Sequence, residues 1–484
     1  MAQCSLSIEA GLLAKHLTRT TPPVPVGIVH LGLGAFFRAH GAIYVQEAMT
    51  HSGGEWGILG VSLQSPTARD KLAPQGGTYW AVETGPEGAR AQHVQVVQDV
   101  LVAPENPQAV LDAMAAENVR IVSLTVTEKG YCHAPSTGRL RFDHPDIVHD
   151  LGDKLPRSAP GFLVRALALR RAAGIAPFTV LSCDNLPENG RVLRGLVLEL
   201  AEAIDPDLAG WIADTVRFPS TMVDRIVPAT TDAEISRVAR LTGKHDAAPV
   251  LHEPFRQWVI EDEFCAGRPD WASVGVQFTK DVHGYEAQKL RILNAGHQVI
   301  GNVAEIMGIS TVAQAMANPQ IKALYRKVQM TEIVPHVVPV PGMTPEQYVD
   351  LIAQRFSNPA IHDTIRRVAF DGSSRHPGFV LPSLHDAIAV GAPMEGLALV
   401  EAFWARMCAG TREDGSTIAP NDPHWSTLTQ IAQHARNRPA VWLEQHQIYG
   451  DLSAHDSFRN CFEQSLRLIW AQGSSAALRA YTGV

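Results

Sequence analysis

Between Val26 and Phe278 the chain alternates short apolar, β-branched runs with stretches of helical spacing. Val26–Leu31, Trp56–Leu63, Val119–Val126 and Pro177–Cys183 read as buried strands. Residues 39–50, 107–117, 160–173 and 190–204 carry a helical period between them. Alternation of this kind predicts a parallel sheet with helices on its faces. Past residue 284 the pattern changes. Residues 284–308, 311–332, 345–357, 359–369, 381–390, 394–409, 424–436 and 457–472 all carry helical spacing, and convincing strands disappear. Pro335, Pro339 and Pro341 break the pattern once, and Pro420 and Pro423 break it again. The expected fold is therefore α/β: a dinucleotide-binding, Rossmann-type domain over residues 1–284, then a mostly α-helical domain over 285–484.

Composition narrows the function. The 484 residues are 45% hydrophobic and 19% charged, which is ordinary for a globular protein with room for two domains. Lys plus Arg is 41 against 49 for Asp plus Glu, a formal charge of −8, so no basic face for nucleic acid is expected. The N-terminus lacks a basic stretch followed by an apolar core, and no apolar run reaches the roughly 18 residues of a membrane span. A cytoplasmic protein is expected, with no membrane partner. Cys4, Cys132, Cys183, Cys265, Cys408 and Cys461 are scattered, with no Cys-x-x-Cys pair, and read as reduced thiols. No metal site is expected. No zipper or long apolar stripe stands out, so a monomer is expected.

Three features carry candidate chemistry. The first strand runs into Gly32-Leu-Gly34-Ala35-Phe36-Phe37-Arg38-Ala-His40. Glycines at a strand-to-helix turn let the backbone approach a phosphate, and the following helix aims its N–H groups at the anion. Arg38 would add a charge-assisted contact. Phe37 stands where the third glycine of a full dinucleotide fingerprint would be. The second strand ends in Leu63-Gln64-Ser65-Pro66, with no acid before Asp70 to hold a ribose 2′-hydroxyl. Gln64 or Ser65 would serve NAD there, or Arg69 would serve NADP, and the residues leave both open.

Polar strand ends are the second feature. Ser123–Tyr131, Ser182–Gly190 and Phe218–Pro228 stand where ligands sit in open parallel sheets. Asn185 reads as a neutral donor facing a cleft, Asn189-Gly190 as turn and capping chemistry, and Asp224-Arg225 as an internal ion pair holding the site. The third feature is Lys289-Leu-Arg-Ile-Leu-Asn294-Ala-Gly-His297. On a regular helix Asn294 and His297 share a face, and Lys289 lies about 80° around the axis from His297. A lysine among apolar groups can have its pKa lowered enough to act as a base near neutrality. The plainer alternative is an amphipathic helix with a solvated lysine.

These stretches, with Met222–Pro228, Glu253–Asp262, Arg355–Pro359 and Asp371–Ser374, resemble the polyol-specific long-chain dehydrogenases. That family includes mannitol 2-dehydrogenase, D-arabinitol dehydrogenase and fructuronate reductase. The resemblance spans about residues 25 to 410. It implies a Rossmann-type domain, a helical domain, a cleft between them, and zinc-independent oxidation of a secondary alcohol with NAD or NADP. By the same likeness Lys289 is the general base, Asn185 and Asn294 hold the reacting oxygen, and His297 orients the substrate. Glu286 gates proton release, and Arg367 and Arg375 contact substrate hydroxyls. Gly32, Gly34, Ala35, Phe36, Arg38 and Asp224 fall on the cofactor side. Arg375 departs from the usual lysine, Ala295-Gly296 from Gly-Ser or Gly-Thr, and the strand-end acid is missing.

The expected activity is oxidation of a linear, mannitol-like polyol to its 2-ketose, and the reverse reduction. A fructuronate reductase is the alternative within the family, with Arg367, Arg375 or Lys129 meeting a substrate carboxylate. A nucleotide-binding regulator without catalysis is the alternative outside it, opposed by the intact set of Lys289, Asn294 and His297.

Overall fold

The structure, a computed structural model, describes residues 15–134 and 137–484, so Cys4 lies outside the described residues. It divides into two compact units that meet in sequence at Val282 and His283. The N-terminal unit is organised by a five-stranded sheet of β1 (Val26–Leu31), β2 (Gly57–Ser62), β3 (Val97–Val102), β4 (Ile121–Leu124) and β5 (Thr179–Ser182). The spatial order is β5-β4-β1-β2-β3, and every neighbouring pair is parallel. The order reverses between β1 and β4, the point at which open α/β sheets bind ligands beyond their strand ends.

Both faces of the sheet are covered, which is why β1, β2, β4 and β5 read as mostly apolar runs. On one side the helices Ala159–Ala172 and Asn189–Ile204 supply Phe162, Leu163, Leu167, Leu193, Leu196 and Leu200, all fully buried against Val29, Val122 and Val180. On the other, α2 (Gly41–Ser52) brings Ile43, Tyr44 and Val45 against Ile28, Ile58 and Trp258.

Several elements are absent from the pattern read above. β3 was not anticipated, because Gln98 and Asp99 interrupt its apolar run; it is an edge strand with one neighbour. A hairpin of Tyr79–Gly85 and Gly88–Val94 and a small sheet of Thr221–Asp224, Gln257–Glu261 and Gln277–Thr279 were not read either. The C-terminal unit is built from helices. Its central helix, Ala295–Ile306, is buried at all twelve positions, including the polar His297, Gln298, Asn302 and Glu305. The helix expected over residues 359–369 shrinks to Ile365–Val368. No helix among the described residues is long and apolar enough to cross a membrane.

Candidate functional site

The N-terminal unit places a glycine cradle at the switch point. Gly32 adopts φ +89°, and a Cβ there would lie 2.3 Å from the Thr125 carbonyl oxygen, so the turn out of β1 requires glycine. Gly34 differs. A Cβ there would meet no protein atom closer than 3.8 Å, so the protein's own packing does not demand glycine. The space is free for a ligand against the backbone, next to α1 (Ala35–Ala39). These features fit the diphosphate of a dinucleotide. Across the switch point, Asp184 accepts the N–H groups of Val126 (3.0 Å) and Thr127 (2.9 Å) and the Tyr131 hydroxyl (2.7 Å). Two strand-end loops are thereby tied together, and Asn185 follows Asp184 at an exposed position.

Arg38 makes contacts within the protein. Its guanidinium donates to the Ala248 carbonyl and lies over the Tyr79 ring, 5.2 Å from the centroid. The guanidinium is therefore partly occupied within the protein, by a backbone carbonyl and a π face. Arg225 likewise braces the cradle, donating to the Ala39 carbonyl (2.7 Å) at the end of α1. Asp224 is buried at the end of its strand. Asn189 is a structural residue, its amide exchanging bonds with Asp184 O (3.0 Å), Thr221 O (2.9 Å) and Thr221 N (2.9 Å).

In the C-terminal unit the opening helix is not regular. His283–Gln288 is α-helical, Lys289–Asn294 is a π-helical turn, and α-helix resumes at Ala295. The Ala295 N–H reaches back five residues to the Leu290 carbonyl. On a regular α-helix Lys289 and Asn294 would be about 140° apart. An i→i+5 turn brings residues five apart onto one side, and such turns recur at functional sites. Neighbours hold this one: Gln329 Nε2 donates to the Ile292 carbonyl (2.8 Å), Gln288 Nε2 to Met343 O (3.1 Å), and Arg291 to His336 O (3.1 Å). Lys289 and Glu286 are buried, and Asn294 is half-buried.

His297 lies one turn past Asn294, its ring stacked on Phe356 with centroids 4.4 Å apart. Its Nε2 is buried without a hydrogen-bond partner. Burial lowers its pKa to about 3; the nearby Asp363 charge opposes the shift, and Arg367, Arg375 and Arg355 reinforce it. The ring is therefore neutral throughout the physiological range. Asp363, which sequence reasoning missed, is 3% exposed and stands 3.9 Å from His297 Nε2. It accepts two parallel bonds of 2.6 Å from Nε and Nη2 of Arg367. Burial alone would raise the Asp363 carboxyl, but the Arg367 charge and its bonds outweigh burial and hold it below the usual range. Arg375 donates to the carbonyls of Arg367 (3.1 Å) and Val368 (2.9 Å). Lys289, Asn294 and His297 thus follow one another along a single helix, and the cluster around His297 includes Arg367 and Arg375. Asn185 and the glycine cradle belong to the other unit.

Among the described residues, one group of potential metal-ligand atoms is formed by Cys132, His144 and Asp146, within 4.8 Å of one another. Burial pushes the Cys132 thiol up to about 11, which opposes the thiolate a metal needs.

Comparison with known proteins places these features. Residues 26–273 match the mannitol dehydrogenase Rossmann domain, and residues 281–470 match the mannitol dehydrogenase C-terminal domain. A mannitol 2-dehydrogenase of Cereibacter sphaeroides is 46% identical over 94% of this chain and 96% of its own. The Pseudomonas fluorescens mannitol 2-dehydrogenase, solved as a ternary complex with NAD and D-mannitol, is 37% identical. It superposes with a TM-score of 0.90 over 97% of each chain. A substrate-free D-sorbitol dehydrogenase superposes at 0.83 with 32% identity, over 94% of this chain and 95% of its own.

Proposed function

The chain belongs to the mannitol dehydrogenase family, and we propose that it is an NAD-dependent dehydrogenase interconverting a linear, mannitol-like polyol and its 2-ketose. The observation that carries this reading is the π-helical turn. It sets buried Lys289 and half-buried Asn294 on one side of a helix, with the unsatisfied Nε2 of His297 one turn further on. Neutral Lys289 takes the proton of the C2 hydroxyl. NAD, which the Gly32–Gly34 turn would hold, would supply the acceptor for the hydride leaving carbon. Asn294 donates its amide N–H to the developing alkoxide, an interaction worth about 3–4 kcal/mol in oxyanion-type sites. Asn185 is assigned the second such donor on the family likeness alone.

His297, neutral at working pH, orients the neighbouring hydroxyl by a hydrogen bond rather than by charge. Arg367 and Arg375 hold the rest of the hydroxyl chain. Glu286, one helical turn before Lys289, carries the proton onward. In reduction Lys289 returns the proton to the ketose oxygen. The test is Lys289→Ala. The variant folds and binds NADH, and turnover near neutrality falls by roughly 10²–10⁴, the usual share of general base catalysis. Near-wild-type turnover would sink the assignment.

One observation favours a second reading. Arg355, Arg367 and Arg375 all act on His297, and cations there suit a substrate carboxylate. Turnover of fructuronate above that of fructose, with NADH as reductant, would select it.

A further inference from the structure

The strand that should carry the ribose-binding acid carries none. β2 ends at Ser62, and Leu63-Gln64-Ser65-Pro66-Thr67-Ala68 follow before any charge appears. Dinucleotide sites discriminate at this place: a carboxylate holds the 2′-hydroxyl of NAD, or an arginine meets the 2′-phosphate of NADP. The first cation after the strand is Arg69, on α3 (Thr67–Leu72). By sequence alone that arrangement suits NADP.

The structure shows how Arg69 is occupied. Its Nε and Nη2 donate to Asp70 Oδ1 at 3.0 and 2.8 Å, and its Nη1 donates to Glu105 Oε2. Glu105 lies in the loop after β3, three residues beyond Val102. β2 and β3 are parallel neighbours with Ser62 opposite Val102, so both loops leave the same carboxyl edge of the sheet. All three nitrogens of the guanidinium are engaged. The three side chains sum to one positive and two negative charges, a net −1.

We propose that Asp70 and Glu105 determine the preference for NAD over NADP, by occupying Arg69 rather than by holding the ribose. A 2′-phosphate brings up to two negative charges to a group that is already net negative. It can use Arg69 only by displacing a carboxylate. The neutral 2′-hydroxyl of NAD meets neither obstacle and has Gln64 and Ser65, both exposed, as partners. The missing acid is thus replaced by two acids that act on a cation. The inference rests on the dinucleotide site of the N-terminal unit and is independent of which polyol is oxidised.

The experiment measures dissociation constants of NADH and NADPH directly, by titration of nicotinamide and tryptophan fluorescence with no polyol present. The proteins are wild type, Glu105→Gln, Asp70→Asn, the double variant, and the double variant with Arg69→Ala. Wild type binds NADH more tightly. Each single variant tightens NADPH by roughly fivefold, the scale of one exposed charge pair, and NADH changes by less than twofold. The double variant gains more, the gain shrinks as salt rises, and Arg69→Ala removes most of it. A double variant that gains nothing for NADPH over NADH overturns the proposal. So does a gain that survives Arg69→Ala, because the carboxylates would then act by repulsion alone. A protein that binds NADH as expected yet turns over no polyol would fail the proposed reaction and leave this inference standing.

Discussion

Replacing Asp363 by asparagine tests whether one buried carboxylate sets the substrate end of the site. The carboxylate is 3% exposed and accepts both Arg367 bonds at 2.6 Å. Removing one partner of a fully buried pair costs about 3–5 kcal/mol. The Arg367 side chain, however, is 40% exposed, so water takes over part of the solvation, and exposed pairs are worth only about 0–1 kcal/mol. Asparagine also keeps one acceptor oxygen. These limits bracket the loss at about 1–3 kcal/mol, or roughly 5- to 150-fold in kcat/KM. Because Arg367 is assigned to substrate hydroxyls, the loss falls on the KM for polyol, while the KM for NAD stays within twofold. Steady-state kinetics with each substrate varied in turn reads this split. A double-mutant cycle with Arg367→Ala isolates the pair, and the double variant should be little worse than Arg367→Ala alone. An unchanged polyol KM in a correctly folded Asp363→Asn protein, or additive losses in the cycle, would refute the role.

The two cradle glycines should separate under substitution. Gly32→Ala forces a positive φ and a contact with the Thr125 carbonyl, so it lowers the melting temperature; Gly34→Ala leaves the melting temperature unchanged and weakens NADH binding about tenfold or more. Gln329→Leu strands the Ile292 carbonyl, which loosens the π-helical turn; kcat should fall more than stability, as read by kinetics beside thermal melting. Acid stability is set by buried histidines as well as carboxylates. Burial lowers His30, His40, His252 and His297 to about 3. Between about pH 6.5 and 3 the unfolded chain binds protons these rings refuse, so stability is full above pH 6.5 and falls below it. The slope approaches 1.4 kcal/mol per histidine per pH unit. Urea midpoints that stay level from pH 7.5 to 5.5 would contradict this.

Strand β1 was legible to the residue, because a strand buried on both faces is mostly apolar, here with only His30 polar, and glycine ends it. β3 was hidden because an edge strand keeps polar side chains toward water. The π-helical turn was hidden for a different reason. Its i→i+5 bonding widens one turn of a helix whose apolar positions still read at the α-helical period on either side. The sequence therefore named Lys289, Asn294 and His297 but mispositioned the first two relative to each other. Asp363 escaped because Ile361-His362-Asp363-Thr364 was read as part of one helix over 359–369. A bend precedes Ile365 instead, and the buried carboxylate sits where the Arg367 fork can grip it.

The π-helical turn and Asp363 escaped for a shared reason. The opening helix of the C-terminal unit gives up regular hydrogen bonding at Lys289–Asn294, and side chains remote in sequence, Gln329 above all, take over a carbonyl there. His297 and Asp363 are likewise held by residues from other elements: Phe356 stacked on the ring, Arg367 on the carboxylate. A local pattern records propensities within a dozen residues, whereas a site records the tertiary contacts that override them. Departure from regular periodicity is itself the signal, because an irregular turn in a buried helix persists only when its surroundings fix it. On that ground the π-helical turn is a stronger marker of the reacting centre than the lysine alone. Of the substitutions above, Gln329→Leu addresses this directly, since it removes the brace and leaves the proposed reacting side chains chemically unchanged.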